Sequence, residues 1–221
     1  MKPERRQPEI GVQSAATWPV PPNSANWRER LPLLGGEHVV LRELNQNDGS
    51  ALCALFAAEE VSRFISRPPS NTLEACACLI EHARAQRAAG TAAWFVVTLR
   101  GFDTAVGVFQ VRATEPSFGT AEWECAIGSS FWGTGIFQES AALVLEFAFA
   151  TLGVHRLETR VAVRNGRGVG ALRKVGAVQE GLLRKSFLRD GEYLDQVLCT
   201  IVDDDWRARR AAPRRASVHV H

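Results

Sequence analysis

The chain has 221 residues, 46% of them hydrophobic and 23% charged, enough for one sizeable core and too few for a second domain. Its 26 basic and 24 acidic residues leave a net charge of +2, and the signs are interleaved through the middle of the chain, where a nucleic-acid binder would carry a basic stripe. The five cysteines are odd in number and show no CxxC spacing. No metal is expected, and buried reduced thiols in a cytoplasmic protein are the reading. No apolar run of signal-peptide type opens the chain, and the longest apolar helical pattern contains Glu139 and Glu146, which argues against export and against a membrane span.

Residues 1–30 carry Pro3, Pro8, Pro19, Pro21 and Pro22 without periodicity and read as a flexible arm, with Trp18 and Trp27 available to pin part of it. A single domain is expected over 31–206. Its first strand is His38–Arg42. Asp48 is placed to cap a helix carrying Leu52, Leu55 and Phe56, and Asn71 with Glu74 has the spacing of a capping box for a second helix stopped by Gly90. Trp94–Leu99 and Ala105–Val111 flank a turn at Gly101–Asp103, a β-hairpin by composition.

Thr120–Ile127 reads as the next strand and runs into Phe131-Trp-Gly-Thr-Gly135, from which a helix continues to about Leu152. His155–Val163 is a strand, Asn165–Val175 a helix stopped by Gly176, and Ala177–Arg189 and Tyr193–Val202 are strands joined at Asp190–Gly191. The basic, proline-broken stretch from Arg207 opens a tail over 207–221, read as solvated, with an acidic partner as the weaker alternative.

Gly133 and Gly135 let the backbone turn tightly and approach a ligand. The helix behind them leaves its first amides unpaired at the positive end of its dipole. Such a junction is a ready phosphate site; the plainer alternative is a tight strand-to-helix corner.

This order of elements, together with three collinear blocks, resembles the GNAT superfamily of acetyl-CoA-dependent N-acetyltransferases, and within it the RimJ/RimL-type branch that acetylates N-terminal amines of ribosomal proteins. The blocks are Ser130-Phe-Trp-Gly-Thr-Gly135 with Glu139-Ser140, Leu152-Gly-Val-His-Arg-Leu-Glu158 with Asn165 and Leu172-Arg-Lys-Val-Gly176, and Glu180-Gly-Leu-Leu-Arg184 with Asp190-Gly-Glu-Tyr-Leu-Asp195. The resemblance implies an α/β (α+β) fold with a mixed central sheet, splayed strands and helices on both faces. It implies that acetyl-CoA lies between the strand ending at Gly128 and the strand starting near His155. Backbone at Ala126, Ile127 and Gly128 would meet the pantetheine arm. The loop of Trp132, Gly133, Thr134, Gly135, Ile136 and Phe137 would hold the pyrophosphate.

Asn165 would bond the cofactor's amide arm, or simply cap its helix. Arg173, or Lys174, would meet phosphates, or be solvated.

Acetyl transfer needs a deprotonated amine, hence a general base or a water chain to one. Glu122 and Glu124 share a strand face, opposite Trp123 and Cys125. By resemblance Glu122 is the first candidate and Glu124 the second; the alternative is that both only steer a cationic amine. The family's tyrosine seven residues after the Asn is Leu172 here, the branch's serine three residues after it is Gly168, and the motif's leading Gln/Arg is Ser130, so no general acid is identified. Tyr193 is the only tyrosine, in a hairpin position that is more often structural.

The expectation is an N-acetyltransferase working by direct attack in a ternary complex, with a protein N-terminal amine as leading acceptor. A small amine such as a polyamine, amino sugar or amino-acid-like metabolite, or a non-catalytic acyl-CoA-binding module, are the rivals. No membrane or nucleic-acid partner is expected. The sequence leaves the oligomeric state open, a homodimer included.

Overall fold

The structure is a computed structural model that describes residues 26–65, 72–115 and 117–211. Trp18, Asn71, most of the arm and the end of the basic tail lie outside the described residues. The elements are β1 (Leu34–Gly35), β2 (Val39–Glu43), α1 (Gly49–Ala57), α2 (Glu59–Ser62), α3 (Leu73–Ala89), β3 (Ala92–Leu99), β4 (Ala105–Ala113), β5 (Thr120–Ile127), α4 (Ile136–Glu146), β6 (Arg156–Ala162), α5 (Gly166–Val175), β7 (Val178–Arg189), β8 (Glu192–Val202) and α6 (Asp203–Ala211). One eight-stranded sheet has the order β1-β2-β3-β4-β5-β6-β8-β7. Every neighbouring pair is antiparallel except β5 with β6. A parallel pair needs a crossover, and α4 supplies it.

Alternation along the strands sends their side chains to two apolar layers. On one face, Leu52, Leu55 and Phe56 of α1 and Ile80 of α3 pack with Val96, Val108 and Ala126. On the other, Val144, Leu145 and Phe147 from the α4 segment and Leu172 of α5 pack with Phe109, Trp123, Leu157 and Ile201. Phe95, Phe109, Phe147 and Trp123 are among the largest fully buried side chains, each stabilising the fold by roughly 1.5–3 kcal/mol. Trp27 enters this layer and meets Phe118 edge-on at 5.7 Å, so the last residues of the expected arm are fastened to the body.

Several local expectations change. Asp48 does not cap α1: its carboxylate accepts from Arg42 at 2.8 Å and from the amide of Asn45 at 2.8 Å. Asn45 instead opens a 3₁₀ turn over Gln46–Asp48 through a capping box. The α3 cap is Thr72, whose hydroxyl accepts from the amide of Ala75 at 3.2 Å, one position past the expected Asn71. The helix after the glycine turn changes to π-helix over Phe147–Thr151.

The thiols differ too. α1 and α3 bring Cys53 and Cys76 together as a disulfide with Cα atoms 6.0 Å apart, and Cys78 and Cys125 are exposed. The reduced, buried state is met by Cys199 alone. β1, α2 and α6 carry too little periodicity for the sequence pattern to show them. α6 has one apolar anchor, Trp206, tilted against Phe149 at 5.1 Å.

Candidate active site

β5 has two unlike edges. Toward β4 it is paired in seven places, from Gly107↔Ile127 to Ala113↔Ala121. Toward β6 it is paired in three, ending at Glu122↔Glu158, and beyond Glu122 the strands part. The Gly128 amide donates to the Val106 carbonyl at 2.9 Å. Because an antiparallel ladder alternates, Ala126 and Gly128 turn their backbone groups to β4. Trp123, Cys125 and Ile127 turn theirs into the gap. Of the expected Ala126–Ile127–Gly128 run, Ile127 therefore faces the gap with its backbone, and its carbonyl already accepts from the Trp132 indole at 2.8 Å. The open backbone edge, from the Trp123 carbonyl through Cys125, is suited to an extended chain carrying amides.

The gap leads to the glycine turn. Gly133 and Gly135 adopt φ of +80° and +95°, where a side chain would be strained. A Cβ at either would meet nothing within 4 Å, so the space in front of the loop is open. Thr134 closes the turn by donating to the Phe131 carbonyl at 2.7 Å. No side chain caps α4, which leaves its leading amides, from Ile136 through Gln138, as free donors. Ile136 is buried and Phe137 stacks on Phe109 at 6.1 Å, so the turn is held rigidly from behind.

Glu139 anchors the same end. It accepts from the His38 amide at 2.8 Å, the Val39 amide at 3.4 Å and the His38 ring at 3.1 Å. Burial alone would push its carboxyl up, but these bonds outweigh it and hold the pKa below the ordinary value. At the loop's head Ser129 donates to Glu60 of α2 at 2.8 Å, and Ser130 is exposed.

Across the gap, Asn165 caps α5, accepting from the Gly168 amide at 2.9 Å. A Cβ on Gly168 would stand 2.7 Å from the Asn165 side-chain nitrogen, so the glycine leaves the Asn room over this turn. Arg167 stacks its guanidinium over the Trp132 ring at 4.7 Å, bringing the start of α5 to the glycine loop. Arg173 lies six residues further along α5, about 9 Å at the helical rise. Arg167 is thus a cation placed at the loop by a contact that no local sequence signal marked. Leu172 is buried in the core. Tyr193 is exposed, three positions past the end of the β6–β8 pairing at Gln196.

The vertex of the gap is a charge cluster. Glu122 is buried, and its two oxygens accept separately from Arg112 of β4 and Arg160 of β6, whose side chains are 43% and 41% exposed. Glu124, on the same face two residues on, has no side-chain partner among the described residues and is exposed. Burial, followed by the Glu122 charge, raises its pKa above the usual carboxylate value, with Arg112 and Arg160 opposing. Among the described residues no group of three or more His, Cys, Asp or Glu side chains is placed to hold a metal ion. No described helix is long and apolar enough to cross a membrane.

A mixed sheet whose one parallel pair opens onto a glycine turn and a free helix N-terminus presents backbone donors suited to an anionic ligand. The acetyltransferase (GNAT) domain matches residues 38–178, and the chain belongs to that family of N-acetyltransferase enzymes. It is similar to the uncharacterised N-acetyltransferase p20 of Bacillus licheniformis, 22% identical across 77% of this chain and 96% of that one.

Shorter matches reach two Escherichia coli K12 proteins. They are the ribosomal protein uS5-alanine N-acetyltransferase, 27% identical over 38% of this chain and 44% of that one, and the spermidine N(1)-acetyltransferase, 26% identical over 42% and 50%. Among solved structures, an acetyltransferase from T. thermophilus superposes with TM-score 0.68 at 30% identity, covering 81% of this chain and 93% of that one. Mycobacterium smegmatis RimJ, in complex with CoA-disulfide, gives TM-score 0.68 at 24% identity, covering 76% and 83%.

Proposed function

We propose that this enzyme acetylates a protein N-terminal amine from acetyl-CoA, by direct attack in a ternary complex. The observation that carries the reading is the β5–β6 gap. It runs from open backbone at the Trp123 carbonyl and Cys125 to open glycines at an uncapped helix, and beside its vertex stands Glu124, a carboxylate with no side-chain partner among the described residues.

The residues fit the cofactor. The free amides of Ile136 and its neighbours, with Arg167 beside them, would hold the pyrophosphate; the gap-facing backbone of β5 would align the amide arm; and the free side-chain NH₂ of Asn165 would approach from α5. When bound, acetyl-CoA supplies the thioester carbon that the amine nitrogen attacks. The C–N bond forms as the C–S bond breaks, and the thiolate leaves.

Glu124 takes the proton that the amine loses, directly or through one water. Its raised pKa brings it closer to the amine's than an ordinary carboxylate would be. Glu122, the first candidate by resemblance, has both oxygens occupied by guanidinium groups. The departing thiolate is protonated from solvent, since Leu172 and Gly168 offer no acid. Proximity carries much of the rate in such a site.

The uS5-alanine acetyltransferase among the relatives supports a protein acceptor. A cationic small amine is the second reading. On the face of the vertex, Glu122, Glu124, Glu158 and Glu180 outnumber Arg112, Arg156 and Arg160, and the spermidine enzyme is a relative.

The test is release of CoA thiol from acetyl-CoA with peptides beginning in Ala or Ser set against polyamines and amino sugars. Faster turnover of the peptides supports the first reading, and preference for spermidine replaces it with the second. Tight acetyl-CoA binding without thiol release on any amine overturns the enzyme mechanism.

A further inference from the structure

Glu122 is the last β5 residue paired to β6. Its carboxylate ties three neighbouring strands at that point: Arg112, its direct cross-strand partner, reaches it from β4, and Arg160 reaches back from the part of β6 that has already diverged. The Arg160–Glu122 bond therefore spans the vertex itself. Glu124 is the next residue on this face, with neutral Gln110 opposite it on β4. The charges acting on it are Glu122 of its own strand, Arg112 of β4 and Arg160 of β6. Neither arginine has another side-chain partner among the described residues.

We infer that Arg112, Glu122 and Arg160 are positioning residues forming a charge clamp, which fixes the opening of the fork and tunes the adjacent carboxylate Glu124. Glu122 acts as the clamp's counter-charge and takes no proton from substrate. The inference rests on Glu124 as the base of the proposed reaction, and it makes a signed prediction that a purely structural clamp does not. Removing the Glu122 charge leaves two guanidinium groups facing Glu124 and favours its ionised form; removing either guanidinium disfavours it.

The experiment measures the acid limb of the pH profile of kcat/KM for the full chain and for Glu122→Gln, Arg112→Gln, Arg160→Gln and Arg160→Lys. The Glu124 carboxyl is titrated in parallel by carbon NMR without substrate. The limb and the titration are expected to move down by about one pH unit in Glu122→Gln and up by about one in each Arg→Gln variant, with Arg160→Lys close to the parent. Acetyl-CoA affinity within about threefold of the parent shows that the loop is intact.

Loss of the limb in Glu122→Gln would make Glu122 the base and overturn the inference. So would shifts of one sign throughout, or lower rates with an unmoved limb. If no amine releases CoA, the catalytic proposal fails alone, because opposite shifts in the NMR titration still report the clamp. If Glu122→Gln does not fold, the arginine variants decide by the same signs.

Discussion

The two ends of the β5–β6 gap are made from different materials. At the loop end the working groups are backbone: glycines at positive φ and the amides that start α4. At the vertex they are side chains, a buried carboxylate between two guanidinium groups beside a carboxylate with no partner. Backbone groups take their geometry from local dihedrals, so that end is indifferent to most side chains and intolerant of a Cβ at the glycines. A charge cluster takes its behaviour from Coulomb interaction in a partly dry place, so the vertex tolerates isosteric change and responds to a single charge.

The largest expected effect lies at the loop. Gly135→Val, forced to φ near +95° at about 1–3 kcal/mol of strain, should abolish acetyl-CoA binding by calorimetry while leaving circular dichroism unchanged. Retained affinity would remove the loop from the cofactor site. Next is the vertex. Glu124→Gln should lower kcat by about 100-fold or more with the KM for acetyl-CoA unchanged, and an unchanged kcat would leave a water chain as the account.

The same variant sharpens the contrast through stability. An acid whose folded pKa is raised holds its proton more tightly folded than unfolded, so it disfavours folding once the pH passes the unfolded value. Glu124→Gln should therefore melt higher than the parent at neutral pH, with the difference fading as the pH falls into the ordinary carboxylate range.

Arg167→Ala, which removes the guanidinium over Trp132, should raise the KM for acetyl-CoA by about tenfold with little change in kcat. An equal fall in kcat would place Arg167 in the chemistry. Behind the loop, Glu139→Gln should cost about 1 kcal/mol at neutral pH. Glu139's pKa is lowered in the fold, so its contribution is present above the unfolded value and lost as the pH falls through the folded one; denaturant melts at two pH values test this. Arg164→Ala, at an exposed pair with Glu192, should leave both ends and the melting temperature unchanged.

Much of the loop end was legible because its signals are close in sequence. Gly133, Gly135 and the apolar helix behind them occupy one short stretch, and Asn165 and Gly176 bracket α5 as expected. The smaller misses have local causes as well. Thr72 and Asn71 are adjacent capping candidates, and only the helix register chooses between them. Asp48 had the right residue type for a cap, but Arg42 draws its carboxylate away. Arg167 could have been noticed as the first cation after the Asn165 cap; its stacking on Trp132 joins positions 35 apart, which no local pattern reveals.

The sequence by itself determined the order of the longer elements, the glycine turn, the shared face of Glu122 and Glu124, and the family. Each follows from spacings of a few residues or from motifs whose chemistry is local. Tertiary structure alone decided the ion pairing at the vertex. Arg112 and Arg160 come to one carboxylate from separations of 10 and 38 residues, and they do so because β5 pairs with β4 in one register and with β6 in another. Which carboxylate is held and which is left free is set by where the parallel pairing stops.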